Sequence, residues 1–93
     1  MPVIALLERG GFFVGINPNP IQDYFYINYD LAVRDNALFV LYDSFGKEVL
    51  HRNLYGTMKT LLVHDIDLAN GVYYYTAAVR GKVVGRGKVA VVN

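Results

Sequence analysis

The side chains that could carry out chemistry in this chain are few and scattered. Ser44 is the only serine, His51 and His64 are the only histidines, and cysteine is absent. A hydrolytic triad needs a nucleophilic hydroxyl beside a base, and nothing in the spacing brings Ser44 to either histidine. Ser44 follows Asp43 in a predicted turn, where a serine hydroxyl usually bonds to local backbone. We therefore predict no catalytic residue and do not expect an enzyme.

A metal site is the next chemistry that the side chains could support. Asp65 and Asp67 alternate with His64 and Ile66 in a run typical of a strand. Alternation would place both carboxylates on one face and His64 on the other, so a three-ligand cluster is not expected. Calcium binding by Asp65, Asp67 and the Asn70 carbonyl stays open, although the run lacks the Gly-punctuated acidic loop that holds hard cations. No metal and no cofactor is predicted.

Tyrosine is the abundant side chain with recognition chemistry, with eight residues in the chain. If Tyr24, Tyr26, Tyr73 and Tyr75 share a solvent-facing surface, their rings would offer rigid contact area to a protein or a sugar. The competing interpretation is that tyrosine is a good strand former whose ring covers its neighbours while its hydroxyl stays in water. We favour this second interpretation.

Length, composition and charge narrow the class of protein further. A chain of 93 residues provides one domain, and 54% hydrophobic with 18% charged residues excludes a disordered tail. The formal charge of +1 makes nucleic acid an unfavourable partner. No apolar run approaches the length of a membrane-spanning helix, and the apolar run near Met1 is too short for a secretory signal peptide. Without cysteine, the fold must rely on hydrophobic burial.

Short aromatic and aliphatic runs, bounded by turn residues, must position whatever site exists. The clearest alternation covers residues 23–30 and places Phe25, Ile27 and Tyr29 on one face. The other predicted strands cover residues 12–16, 37–43, 48–52, 60–68, 72–79 and 83–92. Gly85 and Gly87 indicate a bulge or twist in the last strand. No helical periodicity persists, so we predict an all-β, antiparallel two-sheet sandwich of six or seven strands.

Five short motifs follow one another along the chain in a specific order and spacing. They are Asn17-Pro18-Asn19-Pro20 with Asp23, Tyr42-Asp43 with Gly46-Lys47, Ile66-Asp67-Leu68, Gly71 with Tyr73, and Gly81-Lys82 with Lys88-Val89. Together they resemble the C-terminal sorting domain of the type IX secretion system, in its type A branch. The resemblance covers about Ile16 to Asn93, so we assign residues 1–15 to a linker or first-strand region and residues 16–93 to the sorting domain.

The resemblance implies an Ig-like sandwich at the end of a larger exported protein of Bacteroidetes. It implies three partners: the outer-membrane translocation machinery, a sortase-like protease that commonly removes the domain, and an N-terminal cargo domain in the precursor. The mature protein would be secreted or held at the cell surface, by way of the periplasm and outer membrane. The alternative that stays open is a non-catalytic Ig-like binding or spacer module for carbohydrate or protein adhesion.

Most motif residues are expected to have structural roles. Pro18 and Pro20 fix the backbone angle φ and lack N–H donors, so they form a stiff boundary before the following strand. The amides of Asn17 and Asn19 are expected to bond nearby backbone. Asp43 and Gly46 are expected to close a hairpin.

Direct recognition is expected of the chain's last residues. The predicted recognition set is Gly87, Lys88, Val89, Ala90, Val91, Val92 and Asn93. A terminal strand at a sheet edge offers unpaired N–H and C=O groups that a receptor can bind by strand addition. The same edge leads us to expect a homodimer, and we expect any cleavage to fall between Glu8 and Gly15.

Overall fold

The computed structural model describes residues 13–93, which fold into two antiparallel sheets. The strands are β1 (Phe13–Asn17), β2 (Tyr24–Asp30), β3 (Asn36–Tyr42), β4 (Glu48–Tyr55), β5 (Thr60–His64), β6 (Gly71–Val79) and β7 (Lys82–Val91). One sheet has the order β1-β2-β5 and the other has the order β4-β3-β6-β7. The described residues contain no helix, and the all-β sandwich predicted from the sequence is confirmed.

The core lies between the two sheets and is built from residues that alternate along each strand. Phe25, Ile27 and Tyr29 face inward from β2, as the sequence predicted. Across the core, Phe39 stacks on Tyr75 with their ring centroids 5.5 Å apart. The Tyr29 hydroxyl donates a hydrogen bond of 2.8 Å to the carbonyl of Tyr55, which satisfies this buried polar group.

The four tyrosines considered as a shared surface do not lie on one face. Tyr73 and Tyr75 are buried in the core, whereas Tyr24 and Tyr26 lie on the outer face of the three-stranded sheet. In the run 72–79 both sets of alternate residues are largely apolar. The run therefore predicts a strand but does not show which of its faces is buried. The common tyrosine face is therefore wrong.

The strand predicted over residues 60–68 ends early, at His64. Asp65 adopts a positive φ of 57°, and this left-handed backbone conformation interrupts the pleat. Ile66 and Leu68 still pack against the core from the irregular segment that follows. His64 and Asp65 are in contact, with 2.9 Å between Nδ1 and Oδ2, although alternation had placed them on opposite faces.

The glycines of β7 mark an irregularity in its pairing with β6, as predicted. Ala77 pairs with Gly85 and Ala78 pairs with Val83, so Val84 is an extra residue in the ladder. Gly87 lies opposite Tyr75, and a Cβ added there would be 2.4 Å from the tyrosine hydroxyl oxygen. The missing side chain of Gly87 leaves room for the Tyr75 ring.

Candidate functional site

The chain's last residues lie against the segment that connects β1 to β2. Ile21 is fully buried and forms a parallel bridge with Val91. Its N–H donates to the Ala90 carbonyl and its carbonyl accepts from the Val92 N–H, both at 2.8 Å. The side-chain oxygen of Asn19 accepts from the Ala90 N–H at 3.1 Å. The outer edge of β7 is therefore closed from Ala90 onward.

The loop before β6 holds Asn93 from another direction. The Asn93 N–H donates to the side-chain oxygen of Asn70 at 2.8 Å, and the Asn93 side-chain amide donates to the Leu68 carbonyl at 2.7 Å. The Tyr73 hydroxyl donates to the Ala69 carbonyl at 2.6 Å and so fixes this loop. We call Asn19, Ile21, Leu68 and Asn70 the tail clasp. A hydrogen bond of this kind contributes about 0.5–1.5 kcal/mol net.

The Asn-Pro-Asn-Pro segment ends β1 and leads into the clasp. β1 stops at Asn17, and the peptide bonds before Pro18 and Pro20 are both cis. Asn17 accepts a hydrogen bond from the side-chain amide of Asn28, and Asn19 bonds the backbone of the tail, 71 residues away. The expectation that both asparagines bond backbone holds for Asn19, although its backbone partner comes from the far end of the chain, and fails for Asn17, whose partner is a side chain of the neighbouring strand.

The second motif builds the hairpin between β3 and β4. One carboxylate oxygen of Asp43 accepts from the N–H groups of Phe45 and Lys47, each at 2.9 Å. The Gly46 N–H donates to the Asp43 carbonyl at 3.0 Å, and Gly46 has a φ of 85° that favours glycine. These contacts confirm the predicted turn.

The strand pairings bring four of the five sorting motifs to one end of the sandwich, whereas Gly81-Lys82, at the turn between β6 and β7, lies at the opposite end. Tyr42 pairs with Tyr74 near the start of β6, and Gly71 pairs with Val91 near the end of β7. Asn17, the last residue of β1, pairs with Tyr26 near the start of β2. The Asn-Pro-Asn-Pro segment, the Asp43 turn, the loop before β6 and the tail therefore share one end. Ile21, Leu68 and Asn70 join them. Leu68 belongs to the third motif and Asn70 was considered for calcium, but their contacts with the tail, and Ile21 itself, were not predicted.

The part of β7 before the clasp presents an open edge. Ala90 directs its N–H and C=O groups away from β6, toward Asn19 and Ile21. Alternate residues of an antiparallel strand point their backbone groups the same way, so Lys88 and Arg86 also point outward. Within residues 13–93, no backbone group bonds to these outward groups. We call the segment Arg86–Lys88 the open edge; both of its cationic side chains are exposed.

The side chains considered for catalysis or metal binding lie apart. Ser44 is exposed in the turn, while His51 contacts Glu48 at 2.7 Å and His64 contacts Asp65. Across the described part of the chain, no three His, Asp or Glu side chains are close enough together to hold a metal ion.

An open groove lies on the outer face of the three-stranded sheet. It is lined by Tyr24, Tyr26 and Leu62, with Asp23 and His64 at its sides. The two tyrosine rings pack edge to face, with centroids 5.8 Å apart and an interplanar angle of 84°. Because the rings are nearly perpendicular, they do not form one flat stacking platform.

These features define a small β-sandwich module whose distinctive surface is its terminal strand. A family model for the secretion system C-terminal sorting domain matches residues 15–91, and the chain belongs to that family. No curated protein matches the chain. The domain is a C-terminal type IX sorting signal of a secreted protein.

Family membership also fixes the broad setting in which the domain acts. The family is not catalytic, and its members are joined to an N-terminal cargo part and handled by the type IX machinery. The sorting signal implies export to the cell surface or secretion. Within residues 13–93, the structure has no helix that is long and apolar enough to cross a membrane.

Proposed function

We propose that the domain acts by being bound: the outer-membrane translocation machinery recognises the end of the sandwich that carries the tail. The observation that supports this proposal is that four of the five sorting motifs lie with the tail at one end, through the pairings of Asn17, Gly71 and Tyr42. No bond needs to be made or broken by the domain itself.

The position of β1 supports presentation of that end to a receptor. Phe13 pairs with Asp30 at the far end of β2, whereas Asn17 pairs with Tyr26 near its start. The sandwich is 39 Å along its longest axis. Cargo joined before Phe13 would therefore emerge at the opposite end from the tail, so that a large folded cargo leaves the tail end accessible.

Within the recognised end, we assign different roles to different residues. Asp43, Gly46 and Lys47 shape a turn through backbone contacts, and Tyr73 fixes the loop that contains Asn70. Val89 and Val91 are buried and hold β7 in place. Direct contact with a receptor would come from the exposed members of the tail set, which are Lys88, Val92 and Asn93.

Removal of the domain by a sortase-like protease would occur before the sandwich begins. Of the interval Glu8–Gly15, the part before Phe13 lies outside the described residues, and Phe13–Gly15 pairs with β2. A protease needs an extended, unpaired substrate, so we place the cut between Glu8 and Phe12. Amino-terminal sequencing of the released domain should begin within that interval, and a start inside the sandwich would contradict the assignment.

Export of a passenger protein tests the proposal directly. Residues 11–93 fused behind a passenger with an ordinary export signal should carry it to the surface of a cell that has the machinery, by way of the periplasm and outer membrane. Deleting Lys88–Asn93 should trap the passenger in the periplasm. Unchanged export after the deletion would instead favour a plain binding or spacer module.

Self-association through β7 is the remaining expectation about partners. Two copies that pair their open edges antiparallel about Gly87 would place Arg86 of one chain opposite Lys88 of the other, and like charges directly opposite are destabilising. We therefore propose that any homodimer through this edge is weak. Sedimentation over a wide concentration range should give the monomer mass, and a stable dimer would contradict this view.

A further inference from the structure

We propose that an acidic, extended segment of the receptor adds to the open edge Arg86–Lys88 as a further strand of the four-stranded sheet. The proposal rests on the proposed function and names the chemistry of the partner. It differs from recognition of the last residues alone, because it places the main receptor contacts upstream of them, at Arg86–Lys88.

The open edge has backbone groups available for pairing. Beyond Lys88, the outward groups of Ala90 already bond Asn19 and Ile21. The outward N–H and C=O groups of Arg86 and Lys88 have no such partner within residues 13–93. A strand added here would gain main-chain hydrogen bonds without displacing any that the described residues make.

The charge of β7 favours an acidic partner. β7 contains Lys82, Arg86 and Lys88 and no acidic residue. Arg86 pairs with Thr76 and Lys88 pairs with Tyr74, so both cations lie on the outer face of the sheet, next to uncharged neighbours. Within residues 13–93 the ion pairs involve other residues, and neither cation takes part in one. Carboxylates at the facing positions of a partner strand would pair with them.

The inner side of the same edge has room for an apolar side chain. Gly87 points inward and has no side chain, and the Tyr75 ring passes over it. An apolar side chain on the partner strand could pack against this ring from the side. The expected partner therefore alternates, with acidic residues beside Arg86 and Lys88 and an apolar residue beside Gly87.

Two other occupants of the edge are less favourable on charge. A second copy would present the same cations. The residues before Phe13 include one acidic residue, Glu8, and one basic residue, Arg9, so they offer no net negative charge. An acidic partner is the occupant that the composition of β7 favours.

A peptide titration tests the charge of the partner. The probe is a capped synthetic peptide of alternating Glu and Val, added to the full chain and followed by NMR. We expect chemical-shift changes at Arg86–Lys88 that become smaller with added salt.

The double variant R86E/K88E should bind the acidic peptide about tenfold more weakly or worse. It should gain affinity for the matching peptide of alternating Lys and Val. R34E/R52E, with the same net charge, is the matched control and should bind like the native chain.

Two results would overturn the partner's chemistry. One is a titration in which the shifts fall away from β7, or in which R86E/K88E and R34E/R52E bind equally. The other is a change in the NMR signals of Arg86–Lys88 with protein concentration in the absence of peptide, which would show that the edge binds a second copy of the chain. The titration of the native chain gives a result even if a variant fails to fold.

A second pair of variants tests strand addition itself. Arg86→Pro removes both the side-chain charge and the outward N–H, whereas Arg86→Ala removes the charge alone; an edge strand tolerates proline where its N–H faces solvent. Arg86→Pro should bind the acidic peptide several-fold more weakly than Arg86→Ala. Equal affinities would show that the peptide is held by side-chain charge without main-chain pairing, and would overturn strand addition.

Export of the passenger fusion distinguishes failure of the open-edge inference from failure of the proposed function. If deleting Lys88–Asn93 traps the passenger and R86E/K88E lowers export while R34E/R52E does not, both stand. If the deletion traps the passenger but R86E/K88E exports normally, the sorting function stands and the open-edge inference fails. If neither change affects export, the proposed function fails as well.

Discussion

β7 pairs with β6 along its whole length, yet the two halves of its outer edge differ. From Ala90 onward the edge is closed by Ile21 and Asn19, and Asn93 is held by the loop before β6. At Arg86–Lys88 the edge is open and cationic. The chain's end is thus fixed by intramolecular contacts, whereas the outward backbone groups of the segment just before it have no backbone partner within residues 13–93.

This division solves two problems that a terminal edge strand creates. A chain end that is not tied down frays, and an open edge tends to pair with copies of itself. The tail clasp addresses the first problem. The cations at Arg86 and Lys88 address the second, since they repel the same cations of another copy of the strand.

Replacing Ile21 should destabilise the closed half of the β7 edge more than any other change considered. Ile21 is 0% exposed, so Ile21→Ala should lower the free energy of unfolding by about 3 kcal/mol through lost burial and the cavity left behind. Denaturant unfolding measures this loss. The matched control is Val33→Ala, at a side chain that is 70% exposed, which should stay within about 0.5 kcal/mol. Equal losses in the two variants would show that Ile21 does not anchor the tail.

Filling the space above Gly87 should strain the open half. In Gly87→Ala the new Cβ would overlap the Tyr75 ring, which is itself packed on Phe39, so we expect a loss of about 1–3 kcal/mol. Measured in a Tyr75→Ala background, the same change should cost much less. Additive losses in the double variant would contradict the proposed contact.

Removing the side-chain acceptor of Asn19 should loosen the closed half more gently. Asn19→Ala takes away the partner of the Ala90 N–H and should cost about 1 kcal/mol. Amide exchange at Ala90 should become faster. Asn17→Ala is the control, because Asn17 bonds Asn28 instead; if it accelerates exchange at Ala90 equally, the assignment of Asn19 is wrong.

The smallest expected effect is a pH dependence of the free energy of unfolding that comes from Tyr75, whose ring packs against Gly87 in the open half. Burial raises the pKa of Tyr75 above its ordinary value, so the folded state favours the neutral phenol. The stability this provides is complete below about pH 10 and is lost as pH rises through the folded-state pKa. Between pH 9 and pH 11 the free energy of unfolding should therefore fall less in Tyr75→Phe than in the native chain. Denaturant unfolding at the two pH values measures this difference. Burial also raises the pKa of Tyr29, so part of the decline should remain.

The sequence predicted the strands well because composition and alternation are local signals. It missed the end of β5, since the left-handed conformation of Asp65 interrupts a pattern that continues to alternate through Leu68. It left the side of Tyr73 and Tyr75 undecided, because both sets of alternate residues in the run 72–79 are largely apolar and do not reveal which face is buried.

The site was only partly predictable for a different reason. The resemblance pointed to the Asn-Pro-Asn-Pro segment and to the tail separately, but their contact joins residues about seventy positions apart, beyond the reach of any local pattern. Ile21 carried one weak signal, as a single aliphatic residue between Pro20 and Gln22. Its parallel bridge to Val91 depends on how the two sheets pack.

Residue-resolved amide hydrogen exchange of the native chain tests the division of β7 most directly. We expect the amides of Ala90, Val92 and Asn93 to exchange slowly, because each donates a hydrogen bond to the clasp. The amides of Arg86 and Lys88 in the same strand should exchange rapidly. Rapid exchange at Ala90 and Val92, or protection at Arg86 and Lys88 equal to theirs, would contradict a closed tail beside an open edge.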